Sequence, residues 1–250
     1  MNRVGEKGLN NFGSKMEIVV YRNANDIDVY FEEYNWIAKN KKYNAFKAKE
    51  ITCPYEPRLY NIGYIGEGEY KRTVNGKNTN TYRVWKNMFT RCYSEKYHIR
   101  KPEYKDCEVC EEWHNFQNFA EWYYENYYEI KGQIMCLDKD ILFKGNKIYS
   151  PTYCIFVPHE INNLFTKSNS TRGEYLIGCS FHKASGKIRA TCSVEGKSIC
   201  LGFFDDEFKA FEVYKNFKEK YIKEVADKYF NKIPRELWKT LYEYEVDMYD

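Results

Sequence analysis

The sequence predicts an α+β fold. It would comprise a small N-terminal β-rich unit, a central strand–turn–strand–helix domain with flanking helices, and a C-terminal three-stranded sheet packed on a helix. Three observations carry this. Polar and apolar residues alternate over Asp26 to Phe31 and again through Tyr175 to Phe204, the period of strands with one buried face. Tyr82, Trp85, Met88 and Phe89, and later Trp113, Phe116, Phe119, Ala120 and Tyr123, recur at helical spacing. Between these blocks, Leu137-Asp138-Lys139-Asp140-Ile141, Gly145 to Pro151, Cys154 to Pro158 and Ile161 to Leu164 read as strand, turn, strand, helix.

In chain order, Met16 to Tyr21 and Asp26 to Phe31 are strands, and Tyr43 to Thr52 is expected to add further short ones. Cys53-Pro54 and Glu56-Pro57 stop regular structure, so residues 1–57 form the first unit, which is assigned no chemistry. Gly63, Gly66 and Gly68 lie in a turn-rich linker, and Asn75-Gly76 marks a hairpin. Helices are expected over about Thr81 to Tyr93 and Glu111 to Asn126. Residues 58–170 make the central domain. Residues 171–232 make the C-terminal domain, with strands Tyr175 to His182, Lys187 to Val194 and Ser198 to Phe204. There Asp205 caps a helix that buries Ala210, Phe211, Tyr214, Phe217, Tyr221 and Val225. Residues 233–250 form a tail with a short helix around Leu237 to Tyr244.

With 43% hydrophobic and 30% charged residues, the chain can pack cores and stay in water. It has no run of 18 apolar residues and no signal-like start, so a cytoplasmic protein with no membrane partner is expected. Nine cysteines, an odd number, fit a reducing compartment better than a disulfide framework. The net charge of +3 hides segregation: Arg58 to Lys105 holds 11 basic and 4 acidic residues, whereas Asp106 to Cys136 holds 1 and 7. A basic segment of this kind suits a polyanion, with Arg83 and Arg91 on its helix as candidate contacts. The C-terminal sheet carries Lys183, Lys187, Arg189 and Lys197 against Glu195 alone. A basic two- or three-stranded surface can read a DNA groove, and Arg189 is the leading candidate contact.

Asp138 at a strand end and Asn162 on the following helix are plausible oxygen ligands for Mg²⁺ or Mn²⁺, since Mg²⁺ takes few protein ligands and many waters. A cation there would serve phosphodiester cleavage. Cys107 and Cys110, with His114 four residues on, Cys92 upstream and Cys154 downstream, are candidates for a structural Zn²⁺.

Residues 60–230 resemble phage-encoded HNH homing endonucleases of the subgroup with a C-terminal ethylene-response-factor-type DNA-binding domain. The matching residues are Trp85-Lys86-Asn87-Met88, Arg91-Cys92-Tyr93, Val109-Cys110-Glu111-Glu112-Trp113, Phe116 and Phe119. They continue through Leu137-Asp138-Lys139-Asp140, Tyr149-Ser150-Pro151, Cys154, Phe156-Val157-Pro158 and Ile161-Asn162. In the C-terminal part they are Gly178, Ala184-Ser185-Gly186-Lys187, Arg189-Ala190 and Leu201-Gly202-Phe203-Phe204. The resemblance implies a ββα-metal motif over residues 137–165, with Asp138 and Asn162 as metal ligands. It also implies a sheet lying in the major groove of duplex DNA, and a zinc site that includes Cys92, Cys110 and Cys154. The family's general base is a histidine directly after the aspartate, where this chain has Lys139. A protonated lysine is a poor base but can contact a phosphate as a fixed charge. Asp140 and His159 are the candidate replacements. An alternative expectation follows: a disabled nuclease fold acting as a DNA- or protein-binding regulator, or as an inhibitor of a host defence complex.

Overall fold

The structure, a computed structural model, describes residues 2–166 and 174–248. The elements are β1 (Lys7–Leu9), β2 (Lys15–Asn23), β3 (Asp26–Phe31), β4 (Trp36–Lys41), α1 (Tyr43–Lys47), β5 (Thr73–Val74), β6 (Lys77–Asn78), α2 (Asn80–Tyr93), α3 (Glu95–Arg100), β7 (Glu108–Val109) and α4 (Phe116–Asn126). There follow β8 (Met135–Asp138), β9 (Ile148–Tyr149), β10 (Ile155–Pro158), α5 (His159–Leu164), β11 (Cys179–His182), β12 (Lys187–Val194), β13 (Lys197–Phe204), α6 (Glu207–Lys228) and α7 (Arg235–Tyr242). The fold is mixed α+β. Among the described residues, no helix is long and apolar enough to cross a membrane.

The chain divides into two compact units. The first takes residues 1–126 and 147–152, the second residues 127–146 and 153–250. The expected boundaries near residues 57 and 170 are therefore not where compactness changes; the junction near 170 itself lies partly outside the described residues. Polar bonding explains the first difference. Glu56, almost fully buried, accepts hydrogen bonds from Asn10 Nδ2 (2.7 Å), Ser14 Oγ and Arg58 Nη2 (2.6 Å). A buried carboxylate needs such partners, and these fasten the N-terminal sheet to the segment that follows it.

In the first unit, β1 to β4 form one antiparallel sheet in sequence order. Its core is Met16, Ile18, Ile27, Val29, Phe31 and Ala38, closed by Phe46 of α1. Tyr43 to Thr52 was expected to be extended. Instead it opens with helix α1, because Phe46 falls one helical turn after Tyr43 and drops into that core. The Asn75-Gly76 hairpin forms as expected, with both residues at positive φ (50° and 73°), the requirement of its tight turn. On α2, capped by Thr79 Oγ1 accepting from Tyr82 N, Trp85 is buried and donates from Nε1 to Trp113 O at 2.8 Å. The helix expected from Glu111 breaks at Asn115. That residue is extended and its Oδ1 accepts from Gln117 N (3.0 Å), so a short 3₁₀ turn precedes α4.

In the second unit, β8 pairs antiparallel with β10, from Asp138 opposite Ile155 to Met135 opposite Pro158, and α5 packs on both strands. The sheet β11-β12-β13 is antiparallel. Its first strand starts at Cys179 rather than Tyr175. Gly178, at φ 78°, turns the chain in front of it, and a Cβ there would run into the Tyr214 ring. Helix α6 is capped by Asp206, not Asp205, whose Oδ1 accepts from Lys209 N at 2.9 Å. At 22 residues, α6 serves two cores. Ala210, Phe211 and Tyr214 pack on Cys179, Ala190 and Cys192 of the sheet. Ile222, Val225 and Ala226 pack on Ile155, Val157 and Ile161 of the hairpin and helix, together with Leu237 and Leu241 of α7. The two parts read from sequence as separate domains thus share one helix.

Asp28 supplies a check on the first unit. Arg22 grips both its oxygens (2.6 and 3.2 Å) and Asn40 N donates to it (3.0 Å). The Arg22 hydrogen bonds hold its carboxyl below the ordinary carboxylate range. Because the folded-state pKa is depressed, the stabilisation is complete above the unfolded value near 4 and fades as pH falls through the folded one. Asp28→Ala should cost about 1–3 kcal/mol at pH 7, and the gap to wild type should narrow as pH falls below about 4. Thermal melts of both proteins across that range test this, and a gap that does not change with pH would contradict it.

Candidate metal centre and nucleic-acid face

Asp138 ends β8, and its side chain folds back onto the turn that follows. Oδ1 accepts from Asp140 N (2.9 Å) and Ile141 N (2.8 Å). The position is half-buried. Burial, and then the nearby charge of Asp140, push the carboxyl up to about 6. One oxygen is thus fixed by backbone donors in a place short of positive charge, which suits a carboxylate facing a cation. Asn162 lies three residues into α5, half-buried, on the helix that packs against β8 and β10. One carboxylate and one carboxamide are a donor set of the Mg²⁺ or Mn²⁺ type, with water completing the shell.

Lys139 is nine-tenths buried or more (6% exposed) and turned into the loop. Its Nζ donates to Asn146 O (2.9 Å) and pairs with Asp140 Oδ2 (3.2 Å), while Asn146 Nδ2 returns a bond to Lys139 O (2.7 Å). Lys139, where the resemblance implies a histidine, is therefore a clamp closing residues 139–146. Its charge is spent there, which disfavours the phosphate contact expected for it. Asp140 is exposed and engaged with that lysine. His159 opens α5 beside the Pro158–Met135 rung, with its Nδ1 3.1 Å from Asn163 Nδ2. Three strand residues, about 10 Å at ~3.4 Å each, separate that rung from Asp138. This places His159 at the wrong end of the hairpin to replace the base.

Cys53, Cys110, Cys179, Cys192 and Cys200 are free thiols. Cys92, Cys107 and Cys110 lie in the first unit and Cys154 in the second. Cys107 Sγ faces Glu103 O (3.9 Å), burial pushes the Cys110 thiol up, and His114 Nε2 is 3.1 Å from Val109 O. Among the described residues, no three His, Cys, Asp or Glu side chains gather as a ligand set.

On the C-terminal sheet, Cys179, Ala190 and Cys192 face α6. By the two-residue period of a strand, Ser180, His182, Lys187 and Arg189 take the other face. Arg189 stands between Ser180 and Phe203, its pairing partners. Its Nη2 reaches Ser180 Oγ only at 3.5 Å, and its Nε is buried without a hydrogen-bond partner among the described residues. Phe203 is 45% exposed beside it, its ring tilted against that of His182 (4.8 Å between centres). Lys187 pairs with Asp205 (3.1 Å), while Lys183 and Lys197 are exposed. Arg83, exposed on α2, donates to Asn80 Oδ1 (3.2 Å). Arg91 is held instead by Tyr149 OH (3.4 Å) and the Tyr104 ring (5.7 Å), which makes it a poor surface contact.

The second unit also contains a cavity of about 610 Å³, bordered by α5, β12 and α6. Neither Asp138 nor Asn162 lines it. Lys218 does, a residue that sequence reasoning passed over. The available signal was a lysine four residues after Tyr214 and four before Ile222, on the apolar stripe of α6.

No protein-family model, curated protein or solved structure matches this chain.

The loop clamp makes a direct prediction. Asn146→Ala removes the Nδ2 bond to Lys139 O, leaves the backbone oxygen that Lys139 Nζ uses, and should cost about 0.5–1.5 kcal/mol in urea unfolding. An unchanged midpoint would show that the clamp does not hold the loop.

Proposed function

We propose that this protein binds duplex DNA on an HNH-type nuclease scaffold, and that Asp138 and Asn162 hold a divalent cation that serves phosphodiester cleavage. One observation supports this above the rest: a strand ending in a carboxylate, its antiparallel partner and the helix carrying Asn162 pack as one strand–strand–helix unit. When bound, the cation would stabilise charge on the phosphate and the leaving oxygen. Asp138 would orient one ligand oxygen through the backbone N–H groups of Asp140 and Ile141. The β11–β13 face would supply Arg189, with Lys183 and Lys197 contributing phosphate contacts.

A second reading has its own support. With Lys139 closing the loop and His159 at the far rung, no side chain at Asp138 among the described residues stands out as a general base. The same scaffold would then bind DNA, or a host protein, without cutting.

Supercoiled plasmid incubated with Mg²⁺, Mn²⁺ or chelator separates the two. The first reading expects metal-dependent nicking that falls at least ~100-fold in Asp138→Ala and in Asp138→Asn, the latter keeping the acceptor for the turn. Retarded but intact DNA in every condition supports the second. DNA that is neither cut nor retarded would overturn both. On either reading, Arg189→Ala should weaken DNA binding by about 1–3 kcal/mol if it reads a base, and undiminished affinity would remove it from the interface.

A further inference from the structure

Helix α6 passes from the sheet core to the hairpin core, and Lys218 sits at the crossing. Its neighbours on the buried stripe are Tyr214, which belongs to the sheet core, and Ile222, which belongs to the hairpin core. The side chain is as buried as they are, at 9% exposed. Among the described residues it has no ion pair and no hydrogen bond. A buried ammonium with no counter-charge costs several kcal/mol in general, so an apolar residue would serve packing better at this site.

Lys218 lines the cavity of about 610 Å³, a volume typical of small-molecule sites. One wall is the edge of β12. β11 pairs with β12 only as far as Ala190, and Thr191 N donates to Gly178 O. Beyond that point no strand among the described residues pairs with β12 on this side. By the strand period, the Ser193 N–H faces the same way as that of Thr191. Thr191, Ser193, Ser198 and Tyr221 are among the residues that border it. Two carboxylates border the space: Glu160 is already bound to Lys228 Nζ (2.6 Å) and Tyr229 OH (2.6 Å), and Glu195 sits in an exposed turn. Among the described residues, the interior thus offers hydrogen-bond donors and one uncommitted cation.

We propose that this cavity binds a small anionic molecule, carrying a carboxylate or a phosphate, with Lys218 as the counter-charge. The Tyr221 hydroxyl and the strand-edge amide would complete the anion's hydrogen bonds, as in charge-assisted recognition generally. Burial lowers the Lys218 pKa in the empty protein. A bound anion favours the ammonium and would raise it again. The site is independent of the Asp138 end of the hairpin.

Calorimetric titration of the full chain with inorganic phosphate, and separately with succinate, tests the proposal. At least one should bind the wild-type protein at submillimolar Kd and at least tenfold more weakly to Lys218→Met, and the binding arm tells phosphate from carboxylate. The melting temperature of unliganded Lys218→Met should match or exceed that of wild type, since the variant removes an uncompensated charge. If that variant fails to fold, the lysine side-chain NMR signals of wild type decide: one lysine with a depressed pKa should shift upward on adding the binding anion. Binding of neither probe, equal binding by the variant, or a lysine signal unmoved by ligand would overturn the proposal.

Discussion

The burial of Ile155, Val157 and Ile161 against Ile222, Val225 and Leu237 is the interaction on which the second unit depends. It fixes the β8–β10 hairpin and α5 onto the C-terminal half of α6, while the N-terminal half of the same helix carries the three-stranded sheet. About 25 cal/mol for each Å² of apolar surface removed from water makes a cluster of this size worth more than any single polar contact in the unit. The polar residues at the hairpin end are therefore positioned by the core and contribute little to holding it. That division lets Asp138 remain half-buried with a raised pKa, an arrangement that costs stability and is tolerated where chemistry needs it.

A shared helix also changes what modularity means here. In an arrangement of separate domains, the three-stranded sheet and the β8–β10 hairpin would move independently. Here one 22-residue helix spans both cores, about 33 Å at 1.5 Å per residue. Anything that shifts its middle is felt at both ends. Lys218, at that middle, is the one position on the stripe where a charge interrupts the apolar contacts.

Much of this was legible in the sequence. Strong periodicity gave α2, α6, β3 and β12 to within a residue or so, and Asn75-Gly76 named its own turn. What was lost depended on tertiary contacts. The α1 helix forms because Phe46 finds a core, which no local window contains. Asn115 breaks a helix through a side-chain cap that competes with a continuous apolar stripe. Asp205 and Asp206 are equivalent in pattern, and only the geometry chooses between them. The site was half legible: Asp138 and Asn162 could be placed on their elements, but the fate of Lys139 depended on Asn146, seven residues away across a loop. His159 looked adjacent in sequence to the metal ligands, yet the antiparallel register carries it to the other end of the hairpin. Lys218 was overlooked because a lysine inside an apolar stripe reads as noise until its burial is seen.

The claim at the centre is that Asp138 and Asn162 share one cation. Mn²⁺ binding followed by electron paramagnetic resonance addresses it without requiring catalysis. The account predicts a single Mn²⁺ per chain at this site, displaced by Mg²⁺, with affinity reduced at least tenfold by Asn162→Ala and by Asp138→Asn separately. Mn²⁺ affinity left intact by both substitutions, or no bound Mn²⁺ in the wild-type chain, would contradict it.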